Sequence, residues 1–356
     1  VAVVSDNSKL LIPDYGLEFD EISGRLNYSS ASGLMANALS ARLFDYPIAA
    51  RIETIGSTEQ AGTYIRSTGR ASATALQNWS KQTDFVKNLL NFTQGEIDYR
   101  AELGIFSTDR SDGVLSRLTL ESDLLGLALD LPAPFTKDID DTRSFQQEVD
   151  FTADGEVLTT RYDQNLFSRL YITDGNLDRG LIHFGELNQD FNVRQSDSNQ
   201  QGLTISGELD YFNFEDWSQV AETFTAADGS TDSPGLASNL NIVDVDFGQL
   251  DVIGQQMMDI NAQVTPVDDD WHVYLENPLV RGDFDFPGAA GEPYRIRLDY
   301  LRLPASDEPE DQDASAEKPD ILADINPATL PDMNFSTAEF SVGDKNLGAW
   351  EFNLDA

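Results

Sequence analysis

Cysteine is absent from all 356 residues. Disulfides, thiolate nucleophiles and thiolate metal sites are therefore excluded, while cytoplasm and periplasm both remain open. Histidine is nearly absent. His183 lies in RGLIHFG and His272 in DDWHVYL, and neither has a second histidine at ligand spacing. Each reads as a rim or surface residue of a strand rather than a metal ligand, so no metal or cofactor is expected. Positive charge is scarce: 23 Lys+Arg stand against 62 Asp+Glu, a net charge of −39. Such a field repels phosphates, which argues against nucleic acid or an anionic lipid surface as an electrostatically held partner. A saline habitat, where surface acid keeps a protein soluble, is the simplest source of the excess. Long apolar runs are missing as well. None approaches the roughly 18 residues of a membrane-spanning helix.

Catalytic motifs are also lacking. There is no G-x-S-x-G, H-E-x-x-H, P-loop or G-x-G-x-x-G. Acid pairs such as Asp140/Asp141 and the run Asp268–Asp270 occur, but among 62 acids sequence proximity selects no facing pair for glycoside hydrolysis. Asp228-Gly229-Ser230-Thr231-Asp232 hints at a calcium loop without the full ligand pattern. Trp79, Trp217, Trp271 and Trp350 are spaced too widely to form a cage by proximity and read as packing anchors.

What the chain does have is a two-residue rhythm. Trp271, Val273 and Leu275 alternate with His272, Tyr274 and Glu276. After a turn at Asn277-Pro278, Val280, Phe284 and Phe286 alternate with Arg281, Asp283 and Asp285; then Ile296, Leu298 and Tyr300 alternate with Arg295, Arg297 and Asp299. Successive strand side chains point to opposite faces, so each segment is a ribbon with one apolar and one polar face. Similar segments recur at 17–30, 95–106, 114–132, 166–173, 202–212 and 241–254. Their short connections indicate antiparallel hairpins and meanders, hence a mainly β fold. Two segments carry helical spacing instead, near 73–90 and 213–224. Gly33–Tyr46 fits either helix or strand. Residues 247–264 and 335–354 share a strand–Gly turn–strand pattern, a weak internal repeat, with the acidic stretch PASDEPEDQDASAEKP between them.

Eight pieces, in order, resemble the AsmA-like family of Gram-negative envelopes and within it the YhdP type. They are residues 16–54, Leu76–Trp79, 122–145, 179–186, 202–220, 250–287, 298–304 and 324–354. The most distinctive is SDLLGLALDLPAPFTKDIDDTRSF, whose leucine-rich strand ends in L-P-A-P-F-x-K. The resemblance implies an elongated, curved antiparallel sheet forming an apolar groove, with a few short helices. It implies a segment of an inner-membrane-anchored periplasmic protein that carries phospholipid acyl chains between inner and outer membranes and supports outer-membrane integrity. The segment would be a middle-to-late piece of a longer polypeptide, without catalytic residues. The expected organisation is a β-groove segment over 1–240, a further repeat over 241–304, an acidic linker over 305–319 and the start of another repeat over 320–356. The groove-lining candidates are Leu118, Leu120, Leu125, Leu127, Leu129, Val273, Leu275, Ile296, Leu298 and Tyr300. A sealed structural or adhesive β-scaffold and an acidic polysaccharide hydrolase are the competing readings, because alternation alone does not distinguish an open apolar face from a closed one.

Overall fold

The computed structural model describes residues 1–56, 61–81, 84–106, 112–186, 201–226, 240–252, 255–267, 270–289, 291–303 and 332–354. Strands dominate them, as the alternation predicts, and the chain forms two compact units. The acidic stretch at 305–319 and the DGSTD segment lie outside the described residues.

The first unit comprises Val1–Thr204 and Phe212–Asn239. It opens with β1 (Ala2–Ile12), β2 (Leu17–Ser29), β3 (Gly33–Leu43), β4 (Tyr46–Ile55) and β5 (Gly62–Ser72). The ambiguous Gly33–Tyr46 segment is thus a strand. It continues with β6 (Thr93–Phe106), β7 (Val114–Ser122), the short β8 (Leu127–Leu129), β9 (Phe145–Thr152), β10 (Glu156–Tyr162), β11 (Leu166–Thr173) and β12 (Asn176–Phe184). Apart from β8, each of these strands pairs antiparallel with the next, and β7 pairs with β9. Register shifts interrupt the first three pairings, those of β1–β2 and β2–β3 next to left-handed residues Asn7 and Glu21. Bulges of this kind bend strands and raise twist. The curl is tight. Tyr15, at the β1–β2 turn, lies 6.1 Å from Phe151 on β9, although six strand steps separate β2 from β9. In a flat sheet six steps would span roughly 29 Å.

The expected helix near 73–90 is two short helices, α1 (Ala73–Gln77) and α2 (Asp84–Leu90). Ser72 caps α1 by accepting a bond from the Ala75 amide at 3.1 Å. The helix expected near 213–224 is α3 (Phe214–Ala226), whose first turn is capped by Asn213 Oδ1 on the Asp216 amide. Sequence order puts α1, α2 and the β7–β9 excursion at the same end of the strands, where α3 packs against α2.

One sequence expectation needs correction. Residues 114–132 read as one continuous leucine-rich strand, but the strand breaks after Ser122. Leu124 adopts a left-handed φ of 52° and Gly126 a φ of 93°, and β8 folds back to pair with Thr93–Gly95 at the start of β6. A Cβ at Gly126 would stand 2.5 Å from the Glu96 carbonyl oxygen, so only glycine permits this approach.

The second unit comprises Ile205–Tyr211 and Leu240–Ala356. Residues 205–211 belong to β13 (Gly202–Asn213); then follow β14 (Leu240–Val252), β15 (Gln255–Val267), β16 (Asp270–Glu276), β17 (Val280–Phe286), β18 (Tyr294–Leu303), β19 (Met333–Val342) and β20 (Lys345–Leu354). The β14/β15 and β19/β20 pairs are the two hairpins of the weak internal repeat. All pairings from β14 to β20 are antiparallel except β18–β19, which is parallel. A parallel neighbour cannot be reached by a tight hairpin, and residues 304–332 provide the necessary crossover length.

Candidate functional site

Following the register across the first unit gives its two faces. On the inner face one row runs Ala36, Ile52, Ile65, Leu103, Leu118, Val149, Leu158, Leu170. Phe151 is on this face, so the curl that brings Tyr15 to it folds the apolar side inward. Ala36 is buried, but every other member of the row is only half-buried. The sheet therefore does not seal them against a second layer. The adjacent row is mixed: Leu39, Ala50, Ser67, Ala101, Leu120, Gln147, Thr160, Ser168. Two of its polar members pair, the Thr160 hydroxyl donating to Gln147 Oε1 at 2.7 Å.

From β4 to β9 the opposite face is mainly a polar lattice, whereas at β11 and β12 it buries Phe167 and Leu181. Arg66 bridges Glu53 and Glu102, Arg70 pairs with Asp98 at 2.9 Å, and Arg117 grips both oxygens of Asp150 through one guanidinium edge, Nε to Oδ1 and Nη2 to Oδ2, the latter at 2.7 Å. Asp150, beside the carboxylate Glu148, holds the Arg117 guanidinium firmly charged, against the cost of burial. Cross-strand pairs of opposite charge each contribute a fraction of a kcal/mol. Their main effect here is to fix which face is wet.

The second unit repeats the pattern. Val243, Val264, Val273, Phe284, Ile296, Phe335 and Phe352 form one row across seven strands, and Val245, Ala262, Leu275, Gly282, Leu298, Thr337 and Trp350 form the next. Phe335 and Phe352 stack at 4.8 Å. This face is packed more tightly in part: Val245, Ala262 and Leu298 are buried. At β20, Trp350 and Phe352 are exposed.

The ten groove-lining candidates therefore fall as follows. Leu118 and Leu120 sit in the two inner rows of the first unit. Leu127 and Leu129 are half-buried on β8, and Leu125 is exposed in the turn before it. Val273, Leu275, Ile296 and Leu298 lie in the apolar rows of the second unit. Tyr300 pairs across from Arg281, donates its hydroxyl to the Asn277 carbonyl at 2.7 Å and carries the Arg302 guanidinium 4.1 Å above its ring. A register shift at Arg281/Gly282 separates it from the row of Leu298.

Motif reading passed over an aromatic cluster at the helical end of the first unit. Phe135 touches Tyr162, Phe184 and Trp217, at centroid distances of 6.3, 5.9 and 5.7 Å. Trp217 donates its indole N–H to the Ala133 carbonyl at 3.1 Å, tying α3 to the L-P-A-P-F-T-K segment. Lys137 of that segment is buried; its ammonium donates to the carbonyls of Leu127 at 2.6 Å and Asp138 at 3.0 Å, and burial pushes its pKa below the usual lysine range. The distinctive sequence piece is thus a structural clasp. His272, read as a rim residue, is half-buried with both ring nitrogens facing carboxylates, Asp285 at 2.7 Å and Asp283 at 3.1 Å. Among the described residues no cluster of His, Asp and Glu has metal-holding geometry.

Half-exposed apolar rows thus cross strand after strand in the first unit, and partly buried ones cross the second. A family model described as YhdP protein matches residues 2–356. The chain belongs to the YhdP family. Members of this family are envelope proteins. No curated protein and no solved structure matches the chain. Among the described residues of this YhdP-family chain no helix is long and apolar enough to cross a membrane.

Proposed function

We propose that this YhdP-family chain is a segment of a periplasmic lipid-transfer bridge. In this reading phospholipid acyl chains lie along the inner apolar rows and move between inner and outer membranes, the full-length protein being anchored in the inner membrane. The row from Ile52 to Leu170 carries the proposal: it is continuous across seven strands, apolar at each position and half-buried at each. Hydrocarbon needs only continuous apolar contact, and a surface of this length left uncovered is otherwise costly to keep in water. The ligand is held by dispersion and exclusion of water, so no catalytic group and no cofactor enter the mechanism.

The buried Val245, Ala262 and Leu298 favour a second reading for the second unit, a closed β-scaffold that supports the conduit without lining it. Charge insertion separates the two. Leu118→Asp places a carboxylate on a half-exposed floor position, where it stays hydrated in the empty protein but opposes acyl chains by several kcal/mol. This variant should melt like the parent and lose labelling by a photo-crosslinkable phospholipid. Leu298→Asp at a sealed position leaves an unpaired buried charge and should unfold the unit. A folded Leu118→Asp variant that is labelled as strongly as the parent sinks the conduit reading for the first unit.

A further inference from the structure

The inner face of the first unit ends in the row Phe145, Tyr162, Leu166, Phe184. Within this aromatic end Tyr162 is only 9% exposed. Its ring packs against Phe135, yet its hydroxyl is buried and its O–H reaches no acceptor; Arg143, which can only donate, bears on the oxygen alone. Burying a hydroxyl unpaired costs about 1–3 kcal/mol by mutational measures, and phenylalanine would fill the same space without that cost. A tyrosine here is explained if its O–H meets an acceptor that is present only when the face is occupied.

The surroundings define that acceptor. Its flanks are apolar rings, so the rest of the ligand is hydrocarbon. Arg143, the cation that bears on the phenol, leans on Asp163 at 3.7 Å, and Asp163 and Asp141 both act on the phenol as well. Two acids against one arginine do not welcome an ionised carboxylate or phosphate oxygen, whereas an uncharged carbonyl oxygen is tolerated. A neutral oxygen joined to long apolar chains is an acyl ester carbonyl.

We infer that Tyr162 is the hydrogen-bond donor to the acyl ester carbonyl of a lipid whose chains lie along the inner rows. The site takes its register from this contact: the ester is fixed under Phe135 and Trp217, and the chains pass the Thr160–Gln147 row to join the apolar row at Leu158 and Val149. This inference rests on the lipid-conduit reading and adds to it a point of attachment and a chemical preference.

The test uses the full 356-residue chain with two probes, dioleoyl phosphatidylethanolamine and its dioleyl diether analogue, each presented in detergent micelles. Bound lipid is counted by native mass spectrometry. The parent should prefer the diester by about three- to tenfold, the range of one neutral hydrogen bond. Tyr162→Phe should bind the diester as weakly as the parent binds the diether, show no preference of its own, and melt at the parent's temperature or above. A parent that binds both probes equally overturns the inference and leaves the conduit reading standing. So does a Tyr162→Phe protein that keeps the ester preference. A clear fall in its melting temperature also overturns it, because the hydroxyl would then serve the fold. A parent that takes up neither probe overturns the conduit reading itself.

Discussion

His272 sits between two carboxylates, and its neighbour Arg297 reaches Asp285 at 3.0 Å. Burial alone would raise the Asp285 carboxyl, but the His272 hydrogen bond and the Arg297 charge outweigh it, and the group is held below the ordinary carboxylate range. A carboxyl depressed in the folded state binds its proton less readily than in the unfolded chain. Its stabilisation is present above about pH 4 and is lost as pH falls through the depressed value. We expect Asp285→Asn to cost on the order of 1 kcal/mol at pH 7, for a group still partly solvated, and less at pH 3. Urea denaturation of both proteins at the two pH values checks this; an equal difference at both would remove the charge argument. The D-F-D spacing of Asp283 and Asp285 on one face is readable from alternation alone. That His272 stands opposite them is not, because strand register is set by turns and packing across space. For the same reason Tyr162 could not be singled out: nothing in T-T-R-Y-D distinguishes a paired hydroxyl from an orphaned one.

At the scale of elements, periodicity located the strands and both helical regions but misjudged the leucines from 118 to 129. Leu118 and Leu120 are even-numbered but Leu125, Leu127 and Leu129 are odd-numbered, so on one continuous strand the two groups would face opposite sides, and the run of leucines hid that break. The turn lies in Ser122-Asp123-Leu124-Leu125-Gly126, where Asp123 accepts from the Leu125 amide at 3.1 Å and Gly126 takes a conformation closed to other residues. The change of parity and those turn residues were the available signals, and leucine richness masked both. Gly126→Val should detach β8, since the new side chain meets the Glu96 carbonyl and must adopt a strained φ. Hydrogen exchange should then show Thr93–Gly95 and Leu127–Leu129 losing protection while Val114–Ser122 keeps it. Retained protection at β8 would mean that the backbone relaxes around the substitution.

For the whole molecule the dominant quantity is the net charge of −39. Several of its cations are spent in the outer-face ladders around Arg66, Arg70 and Arg117, so the remaining acids repel one another across the surface. The Debye length falls from about 10 Å at 0.1 M salt to about 3 Å at 1 M. Raising sodium chloride over that range should therefore raise the melting temperature, although it weakens the individual surface pairs. Differential scanning fluorimetry measures the slope, and a falling melting temperature would show that the ladders outweigh the repulsion. The mainly β class and the two-faced ribbons were readable from the sequence. The parallel β18–β19 neighbour was not, because a long connection permits either direction and leaves no periodic trace.

The Ile52–Leu170 row has a mechanical consequence. Its members stand one per strand, so a hydrocarbon laid along it crosses side chains at a repeat of about 4.8 Å. From Ile52 onward they are Ile, Ile, Leu, Leu, Val, Leu, Leu, and no two differ by more than one methylene. The energy landscape along the row is thus corrugated by no more than about 0.8 kcal/mol per step, close to thermal energy. A surface that uniform offers grip without notches: it keeps a chain out of water yet opposes its glide with almost no friction.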